Sequence, residues 1–146
     1  FTKAIEQTKD NPIFYVQYAN ARICSIFKRA KSLNIPVRDK DLSTSDLNKL
    51  STENEISIIR KLSEWPNVIF FSVSRYEPHR IAFYLNELAQ LFHSLQSLGK
   101  IDHRMKFLVE EDMQLTSARI ALIRSIQIII TSGLEILGVK PIDEML

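Results

Sequence analysis

The chain of 146 residues is 45% hydrophobic and 25% charged, enough for one domain with its own core, and 19 Lys+Arg against 17 Asp+Glu leave a net charge of +2. That excess is too small to mark a nucleic-acid binder by itself, but it is uneven: residues 1–76 hold 12 basic against 8 acidic side chains, and residues 77–146 hold 7 against 9. The most apolar stretch, Ile120 to Ile130, is broken by Arg124 and Gln127 and falls short of the roughly 20 residues of a bilayer span. No membrane-spanning segment is therefore expected.

The first predicted element is a helix running to about Leu33. Pro12 suits a first helical position, and Asp10 or Asn11 can accept the early backbone N–H bonds. Val16, Ala19, Ile23, Ile26 and Ala30 recur at three- and four-residue steps and form its core-facing seam. Tyr15, Tyr18, Arg22 and Arg29 make a neighbouring stripe of aromatic and cationic side chains. The lone Cys24 lies beside the seam and can form no internal disulfide, which points to packing and to a reducing compartment, the cytoplasm.

Pro36 and dense mixed charge make 34–42 a connecting loop, and Ser43 or Ser45 can cap a short turn through Leu50. Thr52 and Glu55 form the T-x-x-E pattern of a capping box, opening a helix from about Glu53 to Trp65 that Pro66 ends. Ile56, Ile59 and Leu62, with Ile58 as a further candidate, give its buried side. The segment 67–76, NVIFFSVSRY, fits a buried strand as well as a short helix, although a lone strand would leave its backbone groups unpaired. From Pro78 a long helix follows, with Ile81, Leu85, Leu88, Phe92 and Leu95 as its seam and Gly99 as its stop. Residues 100–112 read as a loop of variable order. The final helix, from Met113 or Leu115, is apolar on most faces, as in a helix surrounded by others. In it Gly133 suggests a close helix approach, Gly138 a stop, and Pro141 opens a last turn. Of Arg119 and Arg124, one is expected to be structural, paired with an acid such as Glu110, Glu111 or Glu135, and the other exposed.

Chemistry-bearing constellations are absent. The sequence has no Gly-rich phosphate loop, no clustered Cys/His ligands and no nucleophile with an identifiable base, and His79, His93 and His103 are not spaced for a helical metal site. No catalytic or metal-binding residue is expected. The chain starts at Phe1 without a signal-peptide pattern, so it is expected to be a piece of something longer.

Three segments carry a resemblance. NPIFYVQYANAR at 11–22 resembles the opening helix of the anticodon-binding domain of arginyl-tRNA synthetases, whose usual form is close to NPVYYVQYAHAR, with Asn20 in place of the histidine. YEPHRIAFYLNELAQLFHSL at 76–95 and ARIALIRSIQIIITSGLEILGVKPIDEM at 118–145 resemble the same family, in the same order. This helical module is the DALR domain, and a related version occurs in cysteinyl-tRNA synthetases. The resemblance implies an all-α bundle of about five to six helices, makes 67–76 a helix, and implies a tRNA partner that accepts arginine, with the central cytosine of its anticodon as the base most open to reading. It also implies an upstream catalytic domain in the same chain that uses ATP with Mg, since the HIGH-like and KMSK-like signatures of class I synthetases are missing here; no cofactor is expected for this piece.

On that basis the candidate RNA-binding residues are Tyr15, Gln17, Tyr18, Arg22 and Arg29 on the first helix, Tyr84 on the Pro78 helix, and Met145 in the last turn, where the family commonly ends its chain and this one continues to Leu146. The tyrosines would stack on unpaired bases, Gln17 would bond a base edge and the arginines would meet phosphates. The competing reading is packing: tyrosines filling helix–helix grooves with hydroxyls at the rim, and arginines solvating the surface. A helical protein-interaction module with the same Tyr and Arg stripe is the alternative from another class.

Overall fold

All regular structure among the described residues, 11–145, is helical in the computed structural model, and no strand occurs there. Asp10 and Leu146, singled out in the sequence, lie outside that range. Helix α1 (Pro12–Ser32) starts where Asn11 Oδ1 accepts the Ile13 N–H at 3.0 Å, so a short polar side chain satisfies an end that proline already tolerates. A single turn, α2 (Asp39–Leu42), and a 3-10 turn at Leu47–Lys49 lead to α3 (Glu53–Ser63). There the capping box forms as expected, with Thr52 Oγ1 and the Glu55 carboxylate each accepting the other residue's backbone N–H at 3.3 Å.

The segment that fits either strand or helix is helix α4 (Trp65–Ser74). Pro66 therefore ends one helix by beginning the next: it occupies the first turn of α4, where its missing N–H costs nothing. Helix α5 (His79–Ile101) and helix α6 (Met113–Ile136) form the centre of the bundle. Helix α1 packs on both, α3 and α4 cover α5, and α2 lies on α6. Val16, Ile23, Leu85, Leu88, Phe92, Ile123, Ile126 and Ile130 are wholly buried where these helices meet, and a smaller cluster of Ala30, Ile35, Leu42 and Ile120 closes the far end of α1.

On α3 the buried positions are Ile58 and Glu55, whereas Ile59, expected inside, is exposed. Gly99 does not stop α5, which runs two residues further. A side chain at 99 would come 3.1 Å from Lys106 Cα, so the glycine is there for close approach of the following connection. At Gly133 the expected close contact is present: an added Cβ would fall 2.7 Å from the Leu85 methyls. Gly138 takes the left-handed φ of 76° that ends α6.

Arg119 is the structural arginine, but its partner is Glu55, 64 positions away, with Nε to Oε2 at 3.0 Å and both side chains almost fully buried. None of the acids expected from the sequence reaches it. Its Nη1 also donates to the carbonyls of Arg104 and Lys106, so a buried charge is met by a carboxylate and two carbonyls together. Arg124 is the outer one, chelating the exposed Asp39 at 2.9 and 3.3 Å. The connection 102–112 is tied down by these bonds and by Thr116, whose hydroxyl takes the Val109 N–H at 2.8 Å and donates to the Val109 carbonyl at 2.7 Å. By length and composition α6 is apolar enough to cross a membrane, contrary to the expectation from sequence. Half of its apolar window is buried in the bundle and Arg119 sits in its core face, the pattern of a core helix.

Candidate nucleic-acid interface

A helix turns 100° per residue, so the polar residues of α1 fall on two flanks of its seam: Tyr15, Tyr18, Arg22 and Arg29 on one, Gln17, Asn20, Cys24 and Lys28 on the other. The first flank faces α5 across an open groove of about 410 Å³. Helix α1 contributes Phe14, Tyr15, Tyr18 and Arg22, and α5 contributes His93, Gln96, Ser97 and Lys100.

Tyr18 is 37% exposed, and its ring stacks on the His93 imidazole at 5.1 Å and 25°. Tyr15, half-buried, also meets that imidazole, at 4.5 Å and a tilt of 43°, and burial pushes its phenol pKa up. His93 Nε2 lies 3.5 Å from the Tyr15 carbonyl. Burial, helped by the nearby charge of Arg22, holds the His93 pKa below the ordinary 6.5, against the opposing pull of the Tyr15 carbonyl and Gln96. The ring is thus neutral at pH 7 and can stack without adding charge. Above it the Arg22 guanidinium stands 5.7 Å from the Tyr18 ring centroid, and its Nε is buried without a hydrogen-bond partner among the described residues. Arg22, Arg29 and Lys100 have no carboxylate partner among the described residues.

Of the seven candidate residues, the structure brings Tyr15, Tyr18 and Arg22 together. Arg29 lies two turns along α1 and opens on an adjoining groove that shares Arg22 and Gln96 with the first. Gln17 is on the other flank and buried: its Nε2 donates to the Lys140 carbonyl at 2.8 Å and its Oε1 accepts the Ile142 N–H at 2.8 Å. It clasps the C-terminal segment and has no edge turned to a base. Asn20 Nδ2 adds a bond to the Ile142 carbonyl at 2.9 Å, which is what stands where the family has histidine. Met145 follows Glu144 at the end of the same strap and is half-buried. Cys24 packs under that strap, 3.9 Å from an Asp143 oxygen, and burial with that carboxylate raises its thiol pKa.

Tyr84 lies in the packed arrangement that the sequence also allowed. It is buried, stacks on Trp65 at 5.3 Å, and donates its hydroxyl to the Lys61 carbonyl at 2.6 Å, so α4 covers the face a base would need. Burial raises its phenol pKa far above the usual range. The residues missed by sequence reasoning are His93, Gln96 and Lys100. Their signal is a polar stripe at 93, 96, 97 and 100 on α5, at the helical spacing that also marks the stripe of α1.

Such a groove offers a flat aromatic platform, an amide able to donate and accept, and two cations at its rim that no carboxylate of the described residues engages, the set needed to hold one unstacked nucleotide. Among the described residues no group of three or more His, Cys, Asp or Glu is placed to hold a metal ion.

Residues 16–145 match the family model of the DALR anticodon binding domain. The chain is 46% identical over 145 residues to an arginine–tRNA ligase of Cereibacter sphaeroides, covering 99% of this chain and 25% of that protein. It is also 46% identical over 145 residues to an arginine–tRNA ligase of Ehrlichia chaffeensis, covering 99% and 24%. A crystal structure from Campylobacter jejuni described as an arginyl-tRNA synthetase aligns with a TM-score of 0.77 at 19% identity, over 99% of this chain and 29% of that one, a likeness of fold. The chain thus spans about a quarter of the length of the curated relatives it matches.

Proposed function

Because the chain belongs to the DALR anticodon binding domain family, we propose that it recognises the anticodon loop of an arginine-accepting tRNA as part of an arginyl-tRNA synthetase. The observation that carries this reading is the Tyr18–His93 stack open to solvent beside Arg22 and Lys100, two cations with no carboxylate partner among the described residues. An unpaired loop nucleotide would lay its base on Tyr18, offer its edge to Gln96 and rest its phosphate against Arg22 or Lys100. Arginine activation, with ATP and Mg, belongs on this reading to a catalytic domain upstream in the same enzyme, in the cytoplasm. Binding here would hold the far end of the tRNA in that site, so remote contacts are converted into rate. The relatives named above are arginine–tRNA ligases, which supports the arginine reading over the cysteinyl one.

The test is a binding titration of the full-length enzyme with arginine tRNA over a salt series. Tyr18→Ala is expected to weaken binding by about 1 to 3 kcal/mol, the worth of one stacked base. Arg22→Ala should weaken it and also reduce the salt slope by about 1, because one phosphate is no longer neutralised by the protein. Affinity unchanged in both variants overturns the assignment.

A further inference from the structure

Beyond Arg22 the aromatic groove opens into a larger one of about 660 Å³, running along the C-terminal half of α1 toward the connection between α5 and α6. Its floor is apolar, from Ile26, Leu33, Phe107 and Leu108. Arg29 on one wall and Lys106 on the other are exposed and form no salt bridge among the described residues, although the Lys106 charge is felt by the Glu111 carboxylate across the groove. The far rim carries Glu110, which no cation of the described residues pairs, and Glu111, engaged by His103 Nε2 at 2.6 Å.

The wall bearing Lys106 is built rather than loose. The Lys106 carbonyl takes the Arg119 guanidinium at 2.7 Å, the Phe107 ring stacks on Phe92 at 5.6 Å and 13°, and Gly99 gives the backbone room to lie against α5. A ligand entering here meets a surface whose ordering is already complete, so little of its binding energy is consumed in arranging the protein.

We propose that this groove is a second nucleotide subsite, taking the neighbour of the nucleotide held at Tyr18 in the same RNA strand. The inference rests on the anticodon-loop reading and adds the position of the next residue of the loop. Its volume is within the roughly 300–1,000 Å³ of small-ligand sites. Arg22, shared by both grooves, and Arg29 flank the phosphate that joins the two nucleotides; the base lies on the apolar floor, with Lys106 over its far side. Glu110 sets the polarity: it repels a phosphate at that end and accepts from a base carrying an exocyclic amino group, which favours cytosine, adenine or guanine over uracil.

The experiment uses the full-length enzyme with Arg29→Ala, Lys106→Ala or both, beside Tyr18→Ala. Its probes are anticodon stem-loop RNAs carrying one methylphosphonate at each loop phosphate in turn, or one abasic nucleotide at each loop position in turn. Both replaced side chains are exposed, so the variants keep the fold. The double variant is expected to bind about tenfold more weakly at moderate salt, with a salt slope lower by about 1, since only Arg29 meets a phosphate. One methylphosphonate that weakens binding to the unaltered enzyme should weaken Arg29→Ala clearly less, Arg22 alone remaining at that phosphate, and that phosphate should adjoin the nucleotide whose abasic form has the smallest effect on Tyr18→Ala. Full affinity in the double variant while Tyr18→Ala stays weak refutes the second subsite and leaves the first reading intact. A silent Tyr18→Ala overturns both. A weakened double variant with no single phosphate coupled to Arg29 shows only a diffuse positive field and refutes the subsite.

Discussion

On one flank of α1, Gln17 and Asn20 bind the backbone of Lys140 and Ile142, Cys24 lies under Asp143, and Lys28 pairs with Glu144. On the other, Tyr18, Arg22 and Arg29 look across open grooves; each flank keeps one buried unbonded atom among the described residues, Asn20 Oδ1 on the first and Arg22 Nε on the second, so the difference lies in the exposed rings and cations. The two flanks are both polar and cationic, and they differ in what reaches them. The C-terminal segment supplies carbonyls and an N–H to the first and nothing to the second. A polar group satisfied inside the chain stabilises the fold and is closed to a partner; one left unsatisfied gives up little when a partner arrives and gains a full bond. The Lys28–Glu144 pair, exposed on both sides, contributes little to the strap, so the buried amides hold it.

The largest expected effect comes from removing what supports the open flank from behind. Arg119→Ala leaves the Glu55 carboxylate buried without its cation and releases the carbonyls of Arg104 and Lys106. Breaking a buried pair from one side costs about 3–5 kcal/mol, and urea denaturation should show a loss in that range. Glu55→Gln should cost a comparable amount, because its single amide oxygen cannot accept from both Thr52 and Arg119 and the buried guanidinium loses its counter-charge. A stability change under about 1 kcal/mol for Arg119→Ala would mean that the wall behind Lys106 is held by Phe107 and Thr116 alone.

The two flanks separate most sharply in a paired measurement. Gln17→Ala strands the Lys140 carbonyl and the Ile142 N–H and should lower stability by about 1–3 kcal/mol, with faster proteolysis or hydrogen exchange at 140–144 and an unaltered RNA salt slope. Tyr18→Ala should do the reverse, leaving stability within about 0.5 kcal/mol while affinity falls. If both variants lose affinity equally and neither loses stability, the strap is itself part of the RNA surface and the contrast between the flanks fails.

Periodicity makes much of this legible in the sequence. The α1 seam, the Thr52–Glu55 box, the Gly133 approach and the aromatic stripe all follow from spacing within one helix, where geometry is local and regular. What spacing does not supply is the occupant opposite each face. Gln17 and Tyr18 are adjacent, and only a segment 123 positions later decides that the first is clasped and the second open. Tyr84 has the same sequence signal as Tyr18, yet α4 lays Trp65 against it, and the acid for Arg119 comes from α3 rather than from the nearby 110, 111 or 135. Gly99 reads as a helix stop because a close-approach glycine near a helix end carries the same signal.

The smallest effect probes the platform itself. Burial depresses the His93 pKa, so between the ordinary 6.5 and the lower folded value the unfolded chain binds the proton more readily than the folded one. Stability from this ring is therefore complete above 6.5 and declines as the pH falls through it toward the folded value. Lowering the pH from about 7.5 to about 5.5 should reduce the melting temperature, and His93→Phe, which keeps a ring against Tyr18 but cannot titrate, should flatten that part of the profile. The difference between the two curves isolates His93 from the carboxylates, whose pKa values are held down by their cationic partners and whose losses lie at lower pH. Superimposable curves would mean that water reaches the imidazole freely. The Tyr18–His93 stack would then be a surface contact rather than a face prepared for a base.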